Sequence, residues 1–438
     1  MKKTPKKIVT FLLVHVFVFC AIGQNPIIDN SGISDPHIRV FKDTIYLYSG
    51  HDASPNDKLW IMKDWRVFST TDLIDWKHRT TIRPKDNYMD ASSSDCWASD
   101  AASKNGKYYF YFSDKKRGVG VMSATSPVGP FVDKLGKALV SPMHDPTVFI
   151  DSDKNKTAYI LYGDKEGGGF RLAKLQDDMM SLSEQAKTIS IVGEEWNSAP
   201  EWMDKSYLFK NKDTYYLSWG RDYATSKNIY GPYKCVGALG NGHHLNEFAH
   251  GSFFNWKGQF YHIWCYYIRP GYKYRESIIS YCHIDTNGKI HTDTAFLDQH
   301  FKNGVGQYNA SWDKIEAEWY YEVFGDLKKE LIQEKEFALS NFKNENGIRF
   351  ANMTFDKAYS KFVSNISFKG EKGVLEIRRD SVKGELLGAI DLSKANSSGH
   401  FQKMESKIVV SKGVKDIFLV YKGSNKAMLA LDWFKFES

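Results

Sequence analysis

Residues 34–50 read SDPHIRVFKDTIYLYSG. An Asp-Pro stands before a short apolar run. The polar turn FKD follows, and then an aromatic, β-branched run that closes on Ser-Gly. Such runs, separated by turn residues, predict two adjacent strands of a hairpin. Asp35 opens the first strand. A single acid in that place is ordinary turn chemistry, so its meaning depends on the rest of the chain.

The aromatic strand recurs as KYYFYFS at 107, TAYILYG at 157, TYYLSWG at 214 and QFYHIWC at 259. Each copy follows a polar turn: KNG, DKNK, NKD or WKG. Before each turn lies another strand with a polar residue near its start. Those residues are Asp100 in ASDAASK, Asp145 in HDPTVFI, Asp204 in MDKSYLFK and His250 in HGSFFNW. Five hairpins at an irregular period of about 45 to 63 residues predict the blades of a β-propeller. The first strand of every blade lines the axis, so these polar residues are expected to gather at one mouth of a funnel. Converging carboxylates in a sugar-sized funnel point to glycoside hydrolysis. One carboxyl protonates the leaving oxygen and another activates water or attacks the sugar. A third acid raises the pKa of the proton donor by like-charge repulsion.

Bulk composition agrees. Of 438 residues 15% are aromatic, with 25 Tyr, 28 Phe and 12 Trp, usage that suits an all-β chain and a surface for flat ligands. The longest helix-like stretch is FGDLKKELIQEKEF at 324–337, read as short helix or charged loop. Residues 1–23 read as a cleaved signal peptide, with four lysines, an apolar run and the small residues Ala21 and Gly23 before Gln24. The run from Ile8 to Ile22 is too short for a membrane span, so a secreted or periplasmic location is expected. The formal charge of +7 lies mostly in that signal, which argues against nucleic acid as a partner. The remaining cysteines, Cys96, Cys235, Cys265 and Cys282, show no metal-binding spacing. A Cys265–Cys282 disulfide and four free thiols both remain open.

Taken together, SDPHIRVFKDTIYLYS, CWASDAASKNGKYYFYFS, HDPTVFIDSD, YGPY, AHGSFFNWKGQFYHIW and YRESIISYCHIDTNGKI resemble glycoside hydrolase family 43. That resemblance implies a five-bladed β-propeller, expected over residues 24–310, and an inverting mechanism that needs no cofactor. It makes Asp35 the general base and Asp145 the acid that orients the proton donor. His250 would hold a water or an ion, commonly calcium, on the axis. Trp97 is expected as a sugar-stacking wall beside Asp100, and Arg221 and Arg275 as partners of substrate hydroxyls. The proton donor departs from the family pattern. Counting back from KNKDTYYLSWG places Asp204 there, while Glu201 in SAPEW competes.

Near residue 312 the pattern changes to alternating strands, which predict a β-sandwich, jelly-roll-like, over 311–438. The IEAE opening and LDWFKF ending resemble a carbohydrate-binding module of family 6. By that resemblance Glu316, Glu318 and Asp432 hold a structural calcium. The leading functional expectation is an exported, monomeric enzyme that trims plant cell-wall polysaccharide. The activity is α-L-arabinofuranosidase first and β-D-xylosidase second, with a galactan or galactofuranose hydrolase or a non-catalytic glycan-binding protein as alternatives.

Overall fold

The computed structural model describes residues 25–164, 169–193, 206–246, 250–333, 336–396 and 399–438. Each predicted aromatic strand is the second strand of an antiparallel sheet. Blade I is Ile33–Phe41, Thr44–Asp52, Met62–Thr70 and Lys77–Ile82. Blade II has three strands, Cys96–Lys104, Lys107–Asp114 and Gly118–Ala124, whose outer edge meets Val132 and Val140. Blade III begins at Met143–Ile150, blade IV at Ser206–Asn211 and blade V at Gly251–Trp256.

The five first strands meet around one axis, and Arg39 of blade I shows it. Its guanidinium reaches Asp100 of blade II, the Val148 carbonyl of blade III at 2.9 Å and the Tyr207 hydroxyl of blade IV at 3.5 Å. Tyr207 in turn donates to the Phe253 carbonyl of blade V at 2.9 Å. The ring closes where the chain's first described residues lie on blade V. Asn25 exchanges two 3.0 Å hydrogen bonds with the Ile279 backbone, and the Ile27 amide donates to Ser277.

After blade V a short helix, Thr294–His300, starts under an Asp293 cap that accepts the Phe296 amide. Two sheets then pack as a sandwich. One carries Gly347–Phe355, Gly413–Gly423, Gly373–Arg379 and Leu386–Asp391 in that order; the other carries Lys328–Gln333, Glu336–Ser340, Met428–Glu437, Tyr359–Lys369 and Gln402–Val410. Tyr308–Asn309 already pairs with the first of these sheets. A single apolar cluster runs from blade V (Trp256, Tyr261, Tyr281) through Trp319 into the sandwich (Phe350, Phe362, Phe434).

One expectation needs correction and one open alternative is decided. The charged stretch at 324–337 is neither helix nor loop: Lys328–Gln333 and Glu336–Ser340 form an edge hairpin, whose charged side chains suit a strand exposed on its outer side. The Cys265–Cys282 disulfide is not formed. The two thiols are buried in neighbouring strands, facing Ser277 and Thr292 across the ladders.

Candidate active site

Asp35 and Asp145 occupy the same local structure in blades I and III. Each lies inside a register shift of its first strand, between Ser34 and His37 and between His144 and Thr147. Each has a left-handed backbone, with φ of 48° and 50°. A bulge takes its extra residue off the ladder and re-aims the side chain. Positive φ at a non-glycine residue is a mild strain that gathers at functional sites. Both acids are buried at the axis end of their strands.

Arg275, at the start of the third strand of blade V, fixes Asp35. Its Nη1 donates to Asp35 Oδ1 at 2.6 Å, while Nε and Nη2 straddle the Asp52 carboxylate at 2.9 and 2.8 Å. His250 Nδ1 lies 3.1 Å from the same Asp35 oxygen. Asp52 is fully buried, and burial pushes its carboxyl up against the lowering pull of Arg275. The Asp145 amide donates to the Ser113 hydroxyl oxygen at 3.3 Å, and the Ser206 hydroxyl donates to the Asp145 carbonyl at 3.2 Å. Asp204 and Glu201 lie outside the described residues. The chain is again described from Ser206, beside Asp145.

A scan against family models matches residues 23–289 to "Glycosyl hydrolases family 43" and residues 324–438 to "Carbohydrate binding module (family 6)". The first match covers more than half of the chain. This chain belongs to glycosyl hydrolase family 43. It is similar to an arabinoxylan arabinofuranohydrolase of Paenibacillus polymyxa, 26% identical over 94% of this chain and 74% of that one. A xylosidase/arabinosidase of Bacteroides ovatus is also 26% identical, over 47% of this chain and 78% of its own. Among solved structures, a family 43 arabinoxylan arabinofuranohydrolase from Bacillus subtilis, in complex with cellotetraose, shares the fold. It has a TM-score of 0.55 and 23% identity, and the match covers 95% of this chain and 98% of that one.

Within this family 43 chain, Asp100, which the sequence suggests as a substrate-binding residue, is buried between blades I, II and III. The shift in blade II falls between Cys96 and Ser99, so Trp97 and Ala98 take the place that Asp35 and Asp145 hold in their blades. Asp100 stands beyond it in regular register, opposite Tyr111. Its carboxylate is closed off by Arg39, by Thr147 at 3.2 Å and by the Val148 amide at 2.7 Å. Burial works to raise this carboxyl, but the Arg39 charge and His37 outweigh it and hold it well below its ordinary value. Arg275 also departs from expectation, because its donors are turned to Asp35 and Asp52. Arg221 is half-buried just after the second strand of blade IV, and its carbonyl accepts the Leu239 amide.

The three acids expected to hold calcium in the sandwich, Glu316, Glu318 and Asp432, each have further neighbours. Ile315–Glu316 pairs with the last strand, as its motif implies, and brings Glu316 close to Asp432. Lys314 Nζ sits 2.6 Å from Glu316 and also feels Asp432 and Glu336, while Asp432 accepts from Asn365. Glu318 feels the Glu316 charge and also reaches blade V, where its ligand oxygen and the ligand atoms of His283 and Asp293 lie within 4.8 Å of one another. Calcium takes six to eight oxygens. Here Lys314 holds one oxygen of Glu316 and Asn365 one oxygen of Asp432. On the axis His250 Nε2 is buried and has no hydrogen-bond partner among the described residues, which fits a water or an ion there. His37 and His144 are further buried histidines beside the two acids. Each lies within two residues of an Asp-Pro, in SDPH and HDPT, which is the signal that would have found them.

Proposed function

We propose that this family 43 glycoside hydrolase releases α-L-arabinofuranosyl side chains from a hemicellulose, with β-D-xylose release as the second specificity. One observation carries the assignment of roles: Asp35 and Asp145 share the same bulge and left-handed backbone in two blades, at one end of the axis. The likeness to an arabinoxylan arabinofuranohydrolase across both domains, against likeness to a xylosidase/arabinosidase over about half the chain, supports the first specificity.

In this mechanism Asp35 takes a proton from water as that water attacks the anomeric carbon from the face opposite the leaving group. The donor, Asp204 or Glu201, protonates the departing oxygen, and the configuration inverts. Arg275 and His250 hold the Asp35 carboxylate in line. Asp145 orients the donor and raises its pKa through like charge. The chemistry needs no cofactor. An axial calcium would take His250 Nε2 and otherwise water, since one imidazole is a poor ligand for a hard ion; it would place positive charge near Asp35. The domain border is placed near residue 310, with residues 1–23 as an export signal and the mature chain acting as a monomer outside the cytoplasm.

Aryl glycosides of arabinofuranose, xylose and galactose, followed by proton NMR of the released anomer, test this function. Inverted arabinose is expected first. No release from these or from arabinoxylan, arabinan and arabinogalactan would overturn it in favour of a glycan-binding protein. The donor is identified by contrast. Loss of the true donor is tolerated with an activated aryl leaving group but stops cleavage of an alkyl glycoside. Asp204→Ala and Glu201→Ala are the two variants to compare.

A further inference from the structure

The seam between the two domains holds a cluster of ionisable side chains that the proposed chemistry does not use. His283 stands near the end of the third strand of blade V, Arg275–Ile284. Asp293 caps the helix that follows that blade. Glu318 lies in the turn Ala317–Trp319, just past Ile315–Glu316 of the sandwich. One ligand atom from each, an imidazole nitrogen and two carboxylate oxygens, lie within 4.8 Å of one another. His283 and Glu318 are only 2% and 4% exposed, and the Asp293 side chain 8%.

Two of the three groups are held from behind. Asp293 accepts the Trp319 indole at 2.6 Å and the Phe296 amide at 2.9 Å. His283 Nδ1 meets Lys329 Nζ at 2.9 Å, and its Nε2 lies 3.1 Å from Asp293 Oδ2. Ring and carboxylate are thus oriented by outer partners, as the ligands of a metal are. Glu318 differs. Its Oε2 is buried and has no hydrogen-bond partner among the described residues. A bare carboxylate in such a place is costly, and Glu316 and Asp293 add like charge to it. A proton on that oxygen would meet no acceptor among the described residues either. A cation satisfies it.

We propose that His283 Nε2, Asp293 and Glu318 bind a divalent metal of the zinc class, with water as fourth ligand, and that this ion clasps blade V to the sandwich. One imidazole with two carboxylates suits zinc, whereas calcium asks for six to eight oxygens. Ligands about 2.0–2.1 Å from a tetrahedral zinc stand about 3.3 Å apart, so a small shift of the side chains closes the site. The His283 ring hydrogen then sits on Nδ1, the Lys329 amine accepts it, and binding releases one proton. The clasp is separate from the axial position at His250 and uses neither Glu316 nor Asp432. It fixes the far end of the strand that begins with Arg275.

The test uses the full-length chain, stripped with chelator and dialysed, with zinc chloride as the probe. Zinc at a hundredfold excess over its Kd is expected to raise the melting temperature by about 3 °C or more. Glu318→Gln, an amide of nearly the same shape, is expected to abolish that rise. Glu316→Gln, Asp432→Asn and His250→Ala are expected to keep it. No rise in the wild type overturns the proposal. So does a rise that Glu318→Gln keeps, or one that Glu316→Gln, Asp432→Asn or His250→Ala removes. Where a variant does not fold, zinc-soaked crystals of the wild type decide. An anomalous peak between His283, Asp293 and Glu318 supports the clasp, and the lack of a peak there overturns it.

Discussion

Blades I and II begin with acids of the same apparent phase, Asp35 and Asp100, and use them in opposite ways. Asp35 sits inside its bulge and is aimed at the funnel by Arg275 and His250. Asp100 sits past its bulge and is spent inside the wall, on the guanidinium that ties blades I to IV together. The register shift, more than the residue type, decides whether a first-strand acid is taken off the ladder or kept in register inside the wall. Blade III repeats the first solution with Asp145, and blade II puts Trp97 at the bulge instead.

Four measurements break or sharpen that contrast. Asp35→Asn should lower kcat by 10² to 10⁴ with little change in melting temperature, because an amide of nearly the same shape cannot accept the proton. A variant that keeps near-normal turnover removes Asp35 as base. Arg275→Met leaves Asp35 and Asp52 buried without their cation. It should cost about 3–5 kcal/mol in urea unfolding and most of the activity as well. Retained stability would mean that the ion pair carries no load.

Asp100→Asn should give the converse of Asp35→Asn: a stability loss on the order of 3 kcal/mol at neutral pH and nearly unchanged kcat in the folded fraction. Its pH dependence has a definite sign. The folded-state pKa lies below the ordinary value of 3.8, so this stabilisation is present above about pH 4 and is lost as the pH falls through the folded-state pKa. Melting curves between pH 6 and pH 3 should therefore drop more steeply for wild type than for the variant. The smallest effect belongs to the sandwich. Lys314→Met should cost about 1 kcal/mol or less, and chelator should not move the wild-type melting point through Glu316 and Asp432. A clear fall of the melting point with chelator that neither His250→Ala nor Glu318→Gln abolishes would restore a calcium to that pair.

Much of this was legible in the chain itself. Turn residues between aromatic, β-branched runs are local signals, and they marked all five hairpins and the second strand of every blade. Asp35 and Asp145 were legible because Asp-Pro marks its own bulge. Asp100 was not, because nothing local to CWASD tells which residue leaves the ladder. That depends on how blade II meets Arg39, a partner far away in sequence. The partners of Arg275 were not legible for the same reason, since Asp52 and Asp35 reach it only when the ring closes. In the sandwich the IEAE and LDWFKF motifs were legible as paired first and last strands, but the ion pair of Lys314 with Glu316, two residues on, was not.

Blade V is made last among the blades, yet it receives the first and the last parts of the chain. Asn25 and Ile27 lie along its third strand, and Trp256, Tyr261 and Tyr281 on its flank are covered only when the sandwich arrives. During synthesis the earlier blades therefore emerge as an open arc with a waiting apolar edge. The ring gains its clasp and its cover almost together, near the end of translation. A shortened product that ends with blade V would keep its clasp but leave an oily flank in water, and would tend to aggregate rather than work as a free catalytic domain.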